Sequence, residues 1–491
     1  MMRSMYSAVS GLGVHQSKMD VIGNNIANVN TVGFKKGTMT FKEAFNQTLR
    51  GGSAPQEGRG GTNPQQIGLG VSIGAMNTIH TTGTPETTGS ATDLMISGDG
   101  FFMVSDDVNF LNKSYTRAGN FGLDRDGNLV TSEGLKVLGY RAESIGEKSE
   151  LKSTLEGLVI SKAMTFPAKV TGATSADGNE LSKTKDVLLE GNINADTGLK
   201  AEVVKKDNAG ATEYFISKEQ LIGKSTTTVV YDQLGGAHEV KIEFRRKMED
   251  NNYWNDPDGK VAWTGTEDPK IEDLIKPNEW EVVITPVGSE TIEINSAANA
   301  PIDCTFADGN IVLPQVNIGV YPPAGKDPNN KFITGAEGFN FNLSFQDENG
   351  KAAVTQFSNE STLTATRKTG YKQGSLDEFS IGSDGSIEGS FTNGQRSVIG
   401  RVAIAKFKNP SGLLKTSDNL FKDTENSGTA IVGKPGESGF AAIAPGRLEM
   451  SNVDLGKEFT DMITTQRGFQ ANSRVITTTD EMLQELVNIK R

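Results

Sequence analysis

Three histidines, His15, His80 and His238, are widely separated with no cysteine pair nearby, so their spacing supplies neither a zinc site nor a catalytic metal set. Gly223-Lys224-Ser225-Thr226 mimics the end of a phosphate-binding loop, but Lys218 stands where that loop needs its first glycine. Asp124-Arg125-Asp126-Gly127-Asn128 has the outline of a calcium loop, with Glu133 six residues after Gly127. Asp-Gly is common in turns that hold no ion, and a plain turn is the simpler reading. Carboxylates are plentiful, yet nothing in the sequence draws two of them into one cleft. No catalytic residue, metal ligand or cofactor-binding motif is assigned, and a non-enzymatic role is expected.

The residues whose spacing carries information lie at the two ends of the chain. Met5, Val9, Leu12, Met19, Ile22, Ile26 and Val29 recur in steps of mostly four and three, with Gln16 filling an open slot. This is a heptad seam, and it should break at Asn28-Val29-Asn30-Thr31-Val32-Gly33, where Asn and Gly favour turns. At the far end Leu455, Phe459, Met462, Phe469, Ile476, Leu483 and Val487 keep the same alternation, with Gln466, Ser473 and Asp480 in seam positions. Ser451-Asn452-Val453-Asp454 offers capping side chains just before this second helix. At about 1.5 Å per residue the two helices would be roughly 37 and 55 Å long.

Two seams at opposite ends suggest an antiparallel pair, though a two-helix stalk or a dimerisation coil fits the spacing as well. The polar seam residues, and Gly23-Asn24-Asn25 inside the first helix, lower the helices' stability in isolation. They are expected to order only when neighbours cover them, with the polar positions fixing register.

The rest of the chain must position these ends. The 491 residues call for two to four domains, and the 56 glycines against 16 prolines suit a turn-rich chain. A net charge of −12 without any Lys/Arg cluster argues against a nucleic-acid partner. Cys304, the lone cysteine, is read as a buried structural thiol. The start lacks an apolar run suited to a cleaved secretion signal, and no stretch of about 20 apolar residues suggests a membrane span, signals that alone would read as cytosolic.

Asp-Gly at 99–100, 126–127, 177–178, 258–259, 308–309 and 384–385, with Asn-Gly at 349–350 and 393–394, punctuates short β-type runs. Phe121-Gly122-Leu123-Asp124-Arg125-Asp126-Gly127-Asn128-Leu129 echoes Phe379-Ser380-Ile381-Gly382-Ser383-Asp384-Gly385-Ser386-Ile387 across the long central region. The expected fold is mainly β, with β-rich domains nested by insertion and the N- and C-terminal α-helices pairing as a coiled coil. Residues 1–33 with 452–491 would form the helical domain, 34–89 an extended linker, 90–149 with 362–451 one β domain, and 150–361 an inserted β domain of one or two parts.

Asp20-Val21-Ile22-Gly23-Asn24-Asn25-Ile26-Ala27-Asn28-Val29-Asn30-Thr31-Val32-Gly33-Phe34-Lys35 resembles the N-terminal motif of the flagellar rod and hook proteins. Ser451 to Phe459, Gln466-Arg467-Gly468-Phe469-Gln470-Ala471-Asn472 and Thr477-Thr478 resemble their C-terminal motif. Asp93 to Phe102, Tyr115 to Phe121, Ser390 to Gln395 and Asn419-Leu420-Phe421 resemble the family's shared β domain. The insert is similar only near Tyr231-Asp232-Gln233-Leu234-Gly235 and Val354-Thr355-Gln356-Phe357.

Within the family the large insert favours a hook subunit over the shorter distal rod protein. The resemblance implies a helical homopolymer at the cell exterior, a flexible tube with the helices lining its channel and the insert facing outward. Implied partners are the chain itself, the distal rod protein, the hook–filament junction proteins, the hook cap and the flagellar type III export gate, which passes subunits without a cleaved signal. Phe41-Lys42-Glu43-Ala44-Phe45 is similar to the short hydrophobic motif shown to that gate, although Phe41 and Phe45 alone would mark just one helical face. In some members a cysteine and a lysine join neighbouring subunits; nothing around Cys304 identifies such a lysine.

Overall fold

The computed structural model describes residues 2–55, 57–172, 186–208, 211–265, 267–287, 293–294, 301–313, 315–321, 336–347, 349–437 and 439–489. The chain is mainly β, with helices at its two ends, and divides into two compact units. The first holds residues 1–164, 376–391 and 396–491; the second holds 165–375 and 392–395. The Asp-Gly turn at 177–178 lies outside the described residues.

In the first unit, strands from the two flanks of the insert pair with one another. Tyr140 stands opposite Arg401, Phe102 opposite Ile404, Tyr115 opposite Phe421 and Ile96 opposite Ile443. Phe101–Ser105 is buried on both faces, as a central strand must be. Phe101, Met103, Tyr115, Phe407 and Phe421 build the core beside it. The echoed segments are both strand–turn–strand units here: Leu123 pairs Leu129, and Ile381 pairs Ile387. Asp124 accepts the backbone N–H of Asp126 and of Asn128, at 2.9 and 2.7 Å, and the Asn128 side-chain amide at 2.6 Å. The calcium-like motif is thus a turn whose carboxylate is occupied by its own backbone and neighbour.

The segment read from sequence as a linker is a hairpin. Gly37–Glu43 pairs antiparallel with Val71–Thr78, and Asn46–Arg50 with Gln65–Gly68 farther out. Both outer strands are exposed along their whole length, so they carry no apolar alternation and their register is invisible to a hydrophobicity reading.

In the second unit, Ile222–Tyr231, Ala237–Met248, Ile275–Pro286 and Ile302–Ala307 form an antiparallel run. Burial along Ala237–Met248 alternates strictly, sending Val240, Ile242 and Phe244 into the core. Val187–Asn194 pairs in parallel with Phe339–Ser344 and Val354–Phe357. Trp280, Phe244, Phe341 and Phe345 fill the centre. Cys304 lies against them, and burial, with Asp303 alongside, pushes its thiol up to about 12. Among the described residues, no helix is long and apolar enough to cross a membrane.

Candidate assembly site

The N-terminal helix, Met2–Ala27, and the C-terminal helix, Leu455–Ile489, span 26 and 35 residues. Asp454 caps the second by accepting the Lys457 backbone N–H at 3.2 Å. At the end of the first, Asn28 turns its side-chain amide back to the Asn24 carbonyl at 2.9 Å, and the Thr31 hydroxyl donates to Asn28 at 3.1 Å. Gly33 then takes φ +69 where a methyl group would come within 2.5 Å of the Ala118 nitrogen, so glycine is required twice over. The sequence-read break at 28–33 is therefore built from its own polar side chains.

The helices run antiparallel. Asn25 donates to Glu458 at 3.1 Å, a methyl on Gly468 would lie 2.7 Å from the His15 ring, and one on Gly11 would lie 2.9 Å from the Asn472 amide. Their fully buried positions are Ala8, Gly11, Val14, Ile22 and Asn25 on one side, and Glu458, Thr465 and Thr479 on the other. Of the sequence-read seam, Ile22 is buried and Met5, Leu12, Met19 and Ile26 are half-buried, as are Met462, Phe469, Ile476 and Leu483. Val9, Leu455, Phe459 and Val487 are exposed, Val9 by 52% and Phe459 by 49%.

The contact face is thus displaced one residue toward the N-terminus at 8, 11 and 25 and at 458, 465 and 479. Small residues decide this: Ala8, Gly11, Thr465 and Gly468 let the backbones approach, and larger side chains are turned to the flanks. Gln16, Gln466 and Asp480, expected to fix register from inside the seam, are exposed. The buried Asn25–Glu458 hydrogen bond ties the helices at that end.

The pair displays apolar side chains outward, Met2, Tyr6 and Val9 on one helix and Phe459, Ile463 and Met482 on the other. The second helix is also intrinsically weak. Thr460, Thr464, Thr465, Thr477, Thr478 and Thr479 all donate to carbonyls one turn back, a habit that lowers helix stability.

A buried charged collar joins the helices to the hairpin and β domain. Asn25 donates to the Gly37 carbonyl at 2.9 Å and accepts the Gly37 N–H at 3.0 Å, while Lys36 lies 3.5 Å from Glu458. Asn452 accepts the Lys36 N–H at 2.8 Å and donates to the Ile79 carbonyl at 2.8 Å. Beneath them the fully buried Glu449 carboxylate takes Lys35 at 2.5 Å, the Gly83 N–H at 2.8 Å and Arg117 at 3.1 Å. Burial holds the Lys35 ammonium below its usual value despite this ion pair. Phe34 is buried with the Lys415 ammonium 3.9 Å from its ring centre. His80 packs edge-on to Phe101 and Phe421, and burial, with Lys35 and Arg117 nearby, pulls it down to about 4.

The family-motif residues therefore divide by task. Asn25, Gly33, Phe34 and Lys35 build the collar, Asn24, Asn28 and Thr31 shape the turn, and Ala27 and Asn30 are exposed. Sequence reasoning assigned no role to Glu449, Glu458 or His80. No local pattern marks Glu449, whose partners Arg117 and Lys35 stand 332 and 414 residues away.

Phe41 and Phe45 do not share a helical face: Phe41 belongs to the strand Gly37–Glu43, and Phe45 follows it. The Phe41 ring meets His15 edge-on at 5.5 Å, whereas Phe45 is 72% exposed.

Comparison with known proteins agrees with these elements. Family models match at residues 5–35 (flagella basal body rod protein), 95–199 (flagellar hook protein FlgE/F/G D1 domain), 205–371 (flagellar basal body protein FlaE D2 domain) and 444–489 (flagellar basal body rod FlgEFG protein C-terminal). The chain is 36% identical to the flagellar hook protein FlgE of Borreliella burgdorferi and 34% identical to that of Treponema pallidum, over all of each chain. It is 31% identical to the Escherichia coli protein of the same name, over 98% of this chain and 99% of that one. Helices at both ends, a β domain assembled from both flanks of an insert, and full-length similarity of this degree place the chain in the flagellar hook protein family.

Proposed function

We propose that this hook subunit self-assembles through its terminal helices into a flexible helical tube that couples rod to filament and transmits torque. The observation that carries the reading is the helix pair's outward apolar face: apart from Val14 and Ile22 its buried positions are small or polar, while Met2, Tyr6, Val9, Phe459, Ile463 and Met482 are exposed. Burying one Leu, Ile or Phe side chain stabilises by about 1.5–3 kcal/mol, so the exposed Phe459, Ile463 and Met482 leave several kcal/mol for association with other copies. Weak helices of this kind order most economically when stacked against one another. The family's structural role supports a non-enzymatic protein located in the flagellar hook.

The finer assignments follow from the same reading. The partners are other copies, the distal rod protein below, and the junction proteins and hook cap above. Export runs through the flagellar type III gate without a cleaved signal, and the exposed Phe45, with Phe41 beside it, is the segment offered to that gate. The collar passes load from the helices to the β domain.

The double substitution Phe459→Asp with Ile463→Asp tests the assembly claim. It should leave the secreted monomer folded by circular dichroism and abolish tubes in electron micrographs. Tubes of normal length from this variant would refute the reading.

A further inference from the structure

The turn between Phe101–Ser105 and Ser114–Thr116 is held from within. The Asp107 carboxylate accepts the N–H groups of Asn109 and Leu111 at 3.2 and 3.1 Å, and the Ser105 hydroxyl donates to the Asn112 carbonyl at 2.6 Å. Phe110, at φ +56, turns its ring inward, where a methyl on Gly157 would lie 3.2 Å from it. That leaves Val108 and Leu111 at the tip, 88% and 81% exposed, the highest values among the large apolar side chains described. A pinned loop that tucks away its phenylalanine and still presents two aliphatic side chains to water is shaped as a knob.

The same unit carries a matching hollow. Leu123, Ile160, Leu376 and Phe379 line an open groove of about 270 Å³, with Ile160 and Leu376 buried in its floor. Lys162, Asp377 and Glu378 stand exposed on its rim. The knob is flanked by Asp106, which accepts the Asn112 amide at 3.1 Å, and by Lys113; these two charges have opposites on the rim, while the Asp107 carboxylate is taken up by its own turn. No described residue forms a salt bridge with Lys113, Lys162, Asp377 or Glu378.

We propose that the Val108–Leu111 tip of one copy seats in the Leu123–Phe379 groove of the next, with Asp106 facing Lys162 and Lys113 facing Asp377 and Glu378. Two different patches on one chain make a heterologous contact, which repeats head to tail, as a helical tube requires, rather than closing as a two-fold dimer. The contact rests on the self-assembly reading and adds to the helices a second, β-domain site. Charge pairing sets its register, and the aliphatic tip supplies its affinity.

Cysteine pairs test it, since Cys304 is 1% exposed and contributes no background. Hooks isolated from cells carrying Leu111→Cys with Leu123→Cys should give a ladder of covalent multimers on mild oxidation, and neither single variant should. Assembled hooks without a ladder, or dimers from Leu111→Cys alone, would overturn the contact. In purified full-length chain, Leu111→Asp should raise the critical concentration for tube formation at least about tenfold. Lys162→Glu should raise it about two- to fivefold, with Asp106→Lys restoring it. An unchanged critical concentration for Leu111→Asp defeats the tip contact alone, whereas an unsubstituted chain that never forms tubes defeats the assembly reading beneath it.

Discussion

In the second unit, Trp280, Phe244 and Phe345 are fully buried, the two phenylalanines edge-on at 6.2 Å; in the helix pair most buried positions are small or polar (Ala8, Gly11, Asn25, Glu458, Thr465 and Thr479, beside Val14 and Ile22), while Phe459 and Ile463 are exposed. One region spends its largest apolar side chains on its own core, although Leu234, Val312 and Phe357 stand exposed at its surface. The other holds itself together mainly with small residues, Val14, Ile22 and the buried Asn25–Glu458 hydrogen bond, and exposes several large apolar side chains. On the proposed function, a subunit that travels as a monomer and holds as a polymer would gain from this separation. On that proposal the second unit is complete in itself, and the ends await other copies.

The largest effect should come from the finished region. Trp280→Ala is expected to cost about 3–5 kcal/mol of stability by loss of packing and creation of a cavity, measured as a fall in the urea midpoint. The outward Phe459→Asp should change the stability read from the same titration by under about 0.5 kcal/mol. Equal losses in the two variants would erase the distinction between self-sufficient core and unfinished pair.

A comparable loss should follow where the two kinds of region meet in the first unit. Glu449→Ala leaves Lys35 and Arg117 buried without their shared carboxylate, at a cost of about 3–5 kcal/mol. The expected signature is uneven, with amide hydrogen exchange rising first in residues 33–37 and 79–83. Uniform loosening of the whole chain would instead make Glu449 an ordinary core residue.

The smallest effect is a pH dependence at His80. Its folded value is pulled from 6.5 to about 4, so protonation favours the unfolded chain. The contribution of this group is complete above pH 6.5 and is lost as pH falls from 6.5 through about 4. Carboxylates titrate in the same window, so the measurement is the difference between the unsubstituted chain and His80→Asn. The unsubstituted chain should lose more thermal stability over that interval, and parallel curves would exclude His80 as the cause.

Much of this was legible in advance. The Asp-Gly and Asn-Gly turns marked real corners: of those described, the ones at 127, 309, 385 and 394 close hairpins. The helix break at 28–33 was readable because Asn and Gly act there through their own short-range hydrogen bonds. The seam was readable in period but not in phase. Heptad spacing says that a stripe exists, whereas which residue faces the partner helix depends on how closely the backbones approach, and Gly11 and Gly468 set that approach. The hairpin at 46–68 escaped notice because strands solvated on both faces leave no alternation to read.

By itself the sequence determined the elements: two weak helices with apolar stripes at the ends, hairpin turns between them, and an insert large enough for its own core. These are local properties, set by dihedral preference, capping and spacing within a few residues. Tertiary structure alone decided which face of each helix is spent inside the chain, that Glu449 gathers two cations from hundreds of residues away, and that the Val108–Leu111 tip and the Leu123–Phe379 groove both stand open. Those outcomes depend on backbone approach and desolvation, quantities that exist only once distant segments have met.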